Sequence, residues 1–257
     1  MPFGSMPEMP GPVPRAPGHR TVFIAPVQGS DMSVSEEFDE WARDGRDEGM
    51  EERHWHTAKH ALARMPVEAG ETVLDLGCGS GYAGRALRET SDAARSYGLD
   101  ASPQMARNAR SYTDDPRSGF LNGDFEHLPF EDDSIDHCWS MEAFFYARNP
   151  DAVLAEVSRV LRPGGTFYCA VNYWEESVHT HKWEELVEVP MIRWTEAEYR
   201  EHFAAAGFHV AGQDRIPDTE TTIPPAGEFP TEDFQTRQAM VERYREHGTL
   251  LTVGVAP

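Results

Sequence analysis

Apolar and polar positions alternate along this chain in two rhythms. Thr72 to Leu76 is a short apolar run, as expected of a strand buried on both faces. Ala83, Ala86 and Leu87 follow at the spacing of one helical face. Arg95 to Asp100 reads as a second strand, after which Ser102 caps a helix with Pro103 at its first position. Phe120 to Asp124 and Ile135 to Ser140 read as strands three and four. Asn149 and Pro150 open a helix with Val153, Leu154, Val157, Val160 and Leu161 on one face, and Arg162-Pro163-Gly164-Gly165 stops it. Thr166 to Val171 is a fifth strand, and Thr195-Glu-Ala-Glu198 is a capping box opening a helix that Gly207 closes. Phe208 to Gln213 and Thr249 to Val255 complete seven strands. Strands alternating with helices predict an α/β fold, a doubly wound and mostly parallel seven-stranded sheet.

Upstream lies an N-terminal helical cap. Phe38, Trp41 and Ala42 share one side of a segment opening at Ser35, which Gly45 and Gly49 are expected to break. A second helix is expected from His54 to Met65, with Trp55, Ala58, Ala61, Leu62 and Met65 on a stripe. The pair can cover a sheet edge or act as a lid over a ligand. Residues 1–31, rich in proline, glycine and methionine without periodicity, read as a disordered leader. One domain is expected over 32–257: a cap at 32–70, a core at 71–171, and acceptor-side extensions at 172–193 and 214–248.

Between the first strand and its helix stand Gly77, Gly79 and Gly81, where bare backbone and a helix N-terminus can meet a nucleotide-like ligand. Gly79 to Gly84 also satisfies the dinucleotide pattern G-x-G-x-x-G, a weak signal alone. Asp75 decides between the readings, because a carboxylate within the loop's reach repels a pyrophosphate and attracts an ammonium or sulfonium. An adenosine ligand with a cationic tail fits, and S-adenosylmethionine is one where NAD is not. Asp100, at a strand end about 20 residues past the glycines, can take both ribose hydroxyls. Asp124 with the Phe125 amide can read an adenine edge.

Composition narrows the partners. The chain has 257 residues, 44 acidic against 23 basic, for a net charge of −21, and Lys59 and Lys182 are its lysines. That balance repels a phosphate backbone and makes nucleic acid a poor partner. Acid excess with so little lysine predicts a halophilic cytoplasm, where salt screens the self-repulsion. Three cysteines form no disulfide framework, and no run is long enough for a membrane span. Cytoplasmic location is the expectation.

V-L-D-L-G-C-G-S-G, G-L-D-A-S-P-Q-M, N-G-D-F-E-H-L-P-F and L-R-P-G-G follow one another from about Thr72 to Val171. Together these blocks resemble the class I S-adenosylmethionine-dependent methyltransferases, nearest to the ubiquinone/menaquinone-biosynthesis type. The resemblance implies a Rossmann-like methyltransferase fold with S-adenosylmethionine as cofactor. It implies that Asp75, Gly77, Gly79 and Gly81 hold the methionine end and Asp100 the ribose. Met105 would pack on the adenine, Asp124 and Phe125 would read its edge, and Ser140 and Met141 would line the floor near the sulfonium. Relatives often carry an acid and, four residues on, a histidine after the fourth strand. Here Glu142 keeps the acid and Tyr146 replaces the histidine, so these two are the catalytic candidates.

Methyl transfer asks mainly that the acceptor be held near-attack and water excluded, with a base only where a proton must leave. His54, His56 and His60 are spaced as a metal site could be, but no carboxylate or cysteine completes the set, so no metal is expected. The aromatic and histidine run from Tyr173 to Trp183 is expected in an acceptor pocket. A small-molecule acceptor is favoured. An RNA methyltransferase and a non-catalytic binding relative are the alternatives.

Overall fold

A computed structural model describes residues 33–257 apart from Asp92 and Glu188. The expected leader at 1–31 lies outside the described residues. Helix α1 (Val34–Arg43) opens on a reciprocal cap between Ser33 and Glu36. Gly45, at φ +73°, turns the chain into α2 (Arg46–Leu62). Gly49 does not break that helix as expected but lies inside it. An interior glycine costs a helix about 1 kcal/mol, which the packing of Ala58, Ala61 and Leu62 onto the sheet outweighs.

The strands are β1 (Thr72–Leu76), β2 (Arg95–Asp100), β3 (Ser118–Asn122), β4 (Ile135–Met141), β5 (Leu161–Val171), β6 (His209–Ile216) and β7 (Thr249–Val255). They form one sheet in the order β3-β2-β1-β4-β5-β7-β6. Pairs among β1 to β5 are parallel, and β7 lies antiparallel between β5 and β6. Helices α3 (Tyr82–Thr90), α4 (Pro103–Ser111) and α5 (Pro150–Val160) make the crossovers, and α6 (Glu196–Ala205) leads into β6. The expected doubly wound, mostly parallel seven-stranded sheet is thus observed.

Successive strand residues face opposite ways, and β1 serves both faces. Val73 packs with α2 and α3 residues, whereas Leu74 and Leu76 pack with Val153, Leu154 and Val157 of α5. The chain winds outward from β1 to β3, then returns to β4 on β1's other side. A crevice opens at the carboxyl ends of β1 and β4, where the winding reverses.

Some expected limits move. The third strand lies two residues earlier than expected, its register set by Ser96 opposite Ser118 and Asp100 opposite Asn122. Ile135 pairs with Leu161 but His137 with Thr166, so Arg162–Gly165 bulge outward where a stop was expected. The sixth strand runs on to Ile216 because pairing with β7 continues to Thr249. Within the 214–248 extension, helix α7 (Arg237–Val241), capped by Thr236, continues as a π-helical turn, Glu242–His247.

Phe167 and Phe203 stack at 5.3 Å with planes 2° apart, both without exposure, between sheet and α6. Phe203→Ala should destabilise the fold by about 3–5 kcal/mol, read as a lowered denaturation midpoint. A midpoint equal to wild type would show that this stack is not part of the core.

Candidate active site

The carboxyl ends of β1, β2 and β4 meet at a cleft of about 690 Å³. Gly77, at φ +78°, leaves β1 there, and a Cβ at this position would sit 2.1 Å from Ala143 Cβ. Glycine is what lets the loop pass the chain leaving β4. The Gly77 and Cys78 amides donate to the Leu99 carbonyl, which ties the loop to β2. Gly79 N donates to Asp100 Oδ2 and Ser102 N to Asp100 Oδ1, each at 2.9 Å. Two amides thus aim the Asp100 carboxylate, and each oxygen keeps a lone pair for a ligand.

Asp75 and Asp100 both line this cleft. Burial, reinforced by the charge of Asp100, pushes Asp75 up to about 8. Burial pushes Asp100 up to about 6 although both amides favour its ionised form. A cationic ligand between them would ionise both. Three residues lining the cleft also carry a buried polar atom with no hydrogen-bond partner among the described residues: Tyr82 OH, Trp139 Nε1 and Asp47 Oδ1. Acidic side chains, bare glycine backbone and unpaired polar atoms fit a ligand with a positive tail and several hydrogen-bonding groups, as S-adenosylmethionine is.

Of the residues expected at a cofactor, Asp75, Gly77, Gly79, Asp100, Met105, Phe125 and Met141 come together on this wall. Gly81 sits behind it, at φ +77°, as the N-cap of α3. Asp124 faces an adjoining crevice with Phe125, and its Oδ1 accepts from the Glu126 amide. Ser140 is buried on the opposite face of β4 from Trp139 and Met141, which line the cleft. Sequence reasoning missed four lining residues of the cap, Val34 of α1 and Asp47, Met50 and Glu51 of α2. Phe38 and His54 line the cleft too. No local motif marks such residues; the helical stripe reports only the face turned to the sheet.

Polar ties hold the cap in place. Asp39 Oδ1 accepts from Ser102 Oγ at 2.5 Å and from Gln104 N at 2.9 Å, at the start of α4. Glu51 Oε2 accepts from Ser80 Oγ at 2.7 Å and from Arg85 Nη2 at 2.6 Å, which joins α2 to the glycine loop. Phe38 meets the Tyr146 ring edge-on at 5.0 Å.

A second cleft, of about 1340 Å³, adjoins the first, and Phe38, Met50, His54, Glu142 and Tyr146 line both. Glu142 has φ +55°, a left-handed conformation costly for a side-chain-bearing residue. Its carboxylate accepts from the Asn172 amide, and burial pushes it up to about 7. Burial and the Glu142 charge push Tyr146 well above the ordinary phenol value, so it stays protonated at neutral pH. Burial, then Arg53 and Arg243, pull His54 down to about 4 and keep it neutral. His56 pairs instead with Asp218 at 3.2 Å. Among the described residues no His, Cys, Asp and Glu cluster could hold a metal ion.

Fold and cleft together are those of a doubly wound α/β protein suited to a nucleoside-like ligand with a cationic tail. The family described as "Methyltransferase domain" matches residues 74–169. Sterol 24-C-methyltransferase erg6 of Schizosaccharomyces pombe is 36% identical over 114 residues, 42% of this chain and 30% of that enzyme. The chain spans about a third of the length of the curated relatives it matches. A Haloferax volcanii putative methyltransferase, solved in complex with the Trm112 methyltransferase activator, is 66% identical. The match covers 88% of this chain and 100% of that one, at a TM-score of 0.86. An S-adenosylmethionine-dependent methyltransferase of Mesorhizobium loti shares the fold, at TM-score 0.60 and 19% identity over 77% of this chain and 96% of that one. This chain belongs to the class I S-adenosylmethionine-dependent methyltransferases, and S-adenosylmethionine is its cofactor.

Asp75 holds a proton up to about pH 8 in the fold, against an ordinary 3.8. Between those values folding takes up a proton, so Asp75 lowers stability as pH rises. The melting temperature of Asp75→Asn should therefore gain on wild type steadily from pH 4 to pH 8. Its S-adenosylmethionine affinity should drop about 10- to 100-fold, the worth of a charge-assisted hydrogen bond. A pH-independent difference in melting temperature would refute the buried proton.

Proposed function

We propose that the protein moves a methyl group from S-adenosylmethionine to a small-molecule acceptor seated in the second cleft. One observation carries this reading: Glu142 and Tyr146 form the wall shared by the two clefts. The cofactor supplies a methyl group on a sulfonium. Asp75 and Asp100 hold its cationic and ribose portions, with Met105 and Phe125 along the adenine. Phe38, Met50 and Tyr146 exclude water, and Glu142 accepts the proton that an O–H or N–H acceptor loses. A base near neutrality is well matched to that task.

The proposed acceptor-side extensions supply the far wall of the second cleft: His179, Lys182 and Trp183 from 172–193, and Phe234, Arg243 and Tyr244 from 214–248. The four sequence blocks support placement near the ubiquinone/menaquinone-biosynthesis type. The Haloferax volcanii relative and the net charge of −21 support a halophilic cytoplasm, and that relative's complex supports a partner of the Trm112 kind. The same charge weighs against RNA as the acceptor.

Methyl-labelled cofactor incubated with the protein and cell extract in molar KCl should place label in a small, solvent-extractable product. Label in ribonuclease-sensitive material would overturn the small-molecule reading. With the identified acceptor, turnover should rise with pH through about 7, and Glu142→Gln should reduce kcat by about 10²- to 10⁴-fold. Unchanged kcat would remove Glu142 as the base.

A further inference from the structure

The second cleft has a charge that the rest of the chain does not share. Arg46, Arg53 and Arg243 line it, and none has a carboxylate within ion-pair distance among the described residues. Acidic residues outnumber basic ones 44 to 23. Counter-ions are plentiful in this sequence, so three guanidinium groups without an ion-pair partner among the described residues, two from α2 and one from the turn before β7, are a feature of the site.

Arg243 is the most telling of the three. It is 6% exposed, and its guanidinium lies over the Trp183 ring at 5.7 Å and the Tyr244 ring at 5.2 Å. Nη1 donates to the Gly248 carbonyl at 3.0 Å, and no other hydrogen bond from this side chain is made within the described residues. A guanidinium has five N–H donors, so most of its capacity is left for something else in the cleft. Burying a charge without an ion-pair contact is costly, and Arg243 is carried on a π-helical turn, a geometry often found at functional sites.

The acids facing this cleft do not cancel that charge. Asp233 is engaged by Lys182, which donates to its Oδ1 at 2.8 Å and to its carbonyl at 2.7 Å. Glu142 attracts Arg243 from beyond ion-pair distance, but its carboxylate already accepts from the Asn172 amide and stands at the junction with the first cleft. The remaining wall is aromatic, with Trp41, Phe145, Trp183 and Phe234.

We propose that the methyl acceptor is an aromatic or similarly flat small molecule bearing an oxyanion, carboxylate or phosphate, which pairs with Arg243. The proposal rests on the reading of this cleft as the acceptor site. Arg243 would meet the oxyanion through parallel N–H donors, the geometry that makes arginine suited to such groups. Its stacking on Trp183 and Tyr244 holds the guanidinium plane beside the aromatic slot. The anion anchors one end of the acceptor, and the rings orient its body toward Glu142.

The full chain, saturated with S-adenosylhomocysteine in one fixed concentration of KCl, is titrated calorimetrically with 4-hydroxybenzoate, phenyl phosphate and neutral 4-hydroxybenzamide. At least one anion should bind tenfold or more tightly than the amide, and which one does separates carboxylate from phosphate. Arg243→Gln should abolish that preference while the S-adenosylmethionine isotherm stays within twofold of wild type. Should Arg243→Gln fail to fold, exposed Arg53→Gln is expected to shrink the preference severalfold. An amide binding as well as both anions, no heat from either anion, or displacement of the probes by an oligoribonucleotide overturns the proposal. Heat from the cofactor without heat from the anions sinks this inference alone. No heat from the cofactor sinks the underlying reading as well.

Discussion

Two carboxyl groups kept out of water at neighbouring strand ends, with no lysine or arginine among the described residues lining that cleft, are the constraint around which this molecule is arranged. Asp75 and Asp100 are buried, and each holds its proton to a higher pH than a free carboxyl would. A fold does not retain such groups for stability, since apolar side chains of similar volume pack at least as well in such places. Their cost is offset when a positive ligand arrives and the low dielectric strengthens the attraction. The glycine turn, the amides aimed at Asp100 and the apolar slot of Met105 and Phe125 all serve that geometry.

Placement of the site follows from topology. Parallel strands end on one side, and the reversal of winding between β1 and β4 parts the crossover helices there. The cap closes the opening from above. Its C-terminal half, through Ala58, Ala61 and Leu62, is a layer of the core, while its N-terminal portion reaches over the cleft with Asp47, Met50, Glu51 and His54. One helix therefore both supports the sheet and lines the cleft.

Glu142 stands where the two clefts adjoin. Its left-handed backbone turns the chain sharply after β4 and brings Ala143 against Gly77. The same turn sends Phe144 and Phe145 into the core and leaves Tyr146 at the boundary. Strain of this kind persists only where surrounding structure holds it, and here Ala170 of β5 and Asn172, just past its end, do so.

Much of this was legible in the chain itself wherever the signal was local. Strands β1, β2 and β7 have the limits their apolar runs predict, and Ser102, Asn149 and Thr195 cap helices as their positions imply. The motif residues Asp75, Gly77, Gly79 and Asp100 reach one cleft because a strand, a tight turn and a helix place them there together. Tertiary structure alone decided the rest. Gly49 stays helical because packing outweighs its propensity, and Ser140 turns from the cleft because β4's pleat puts Trp139 and Met141 on it. The arginines of the second cleft come from α2 and the turn before β7, far apart in sequence. Local sequence determines which backbone shapes are affordable to a segment, but neighbouring charges and shared walls arise only when distant segments pack together.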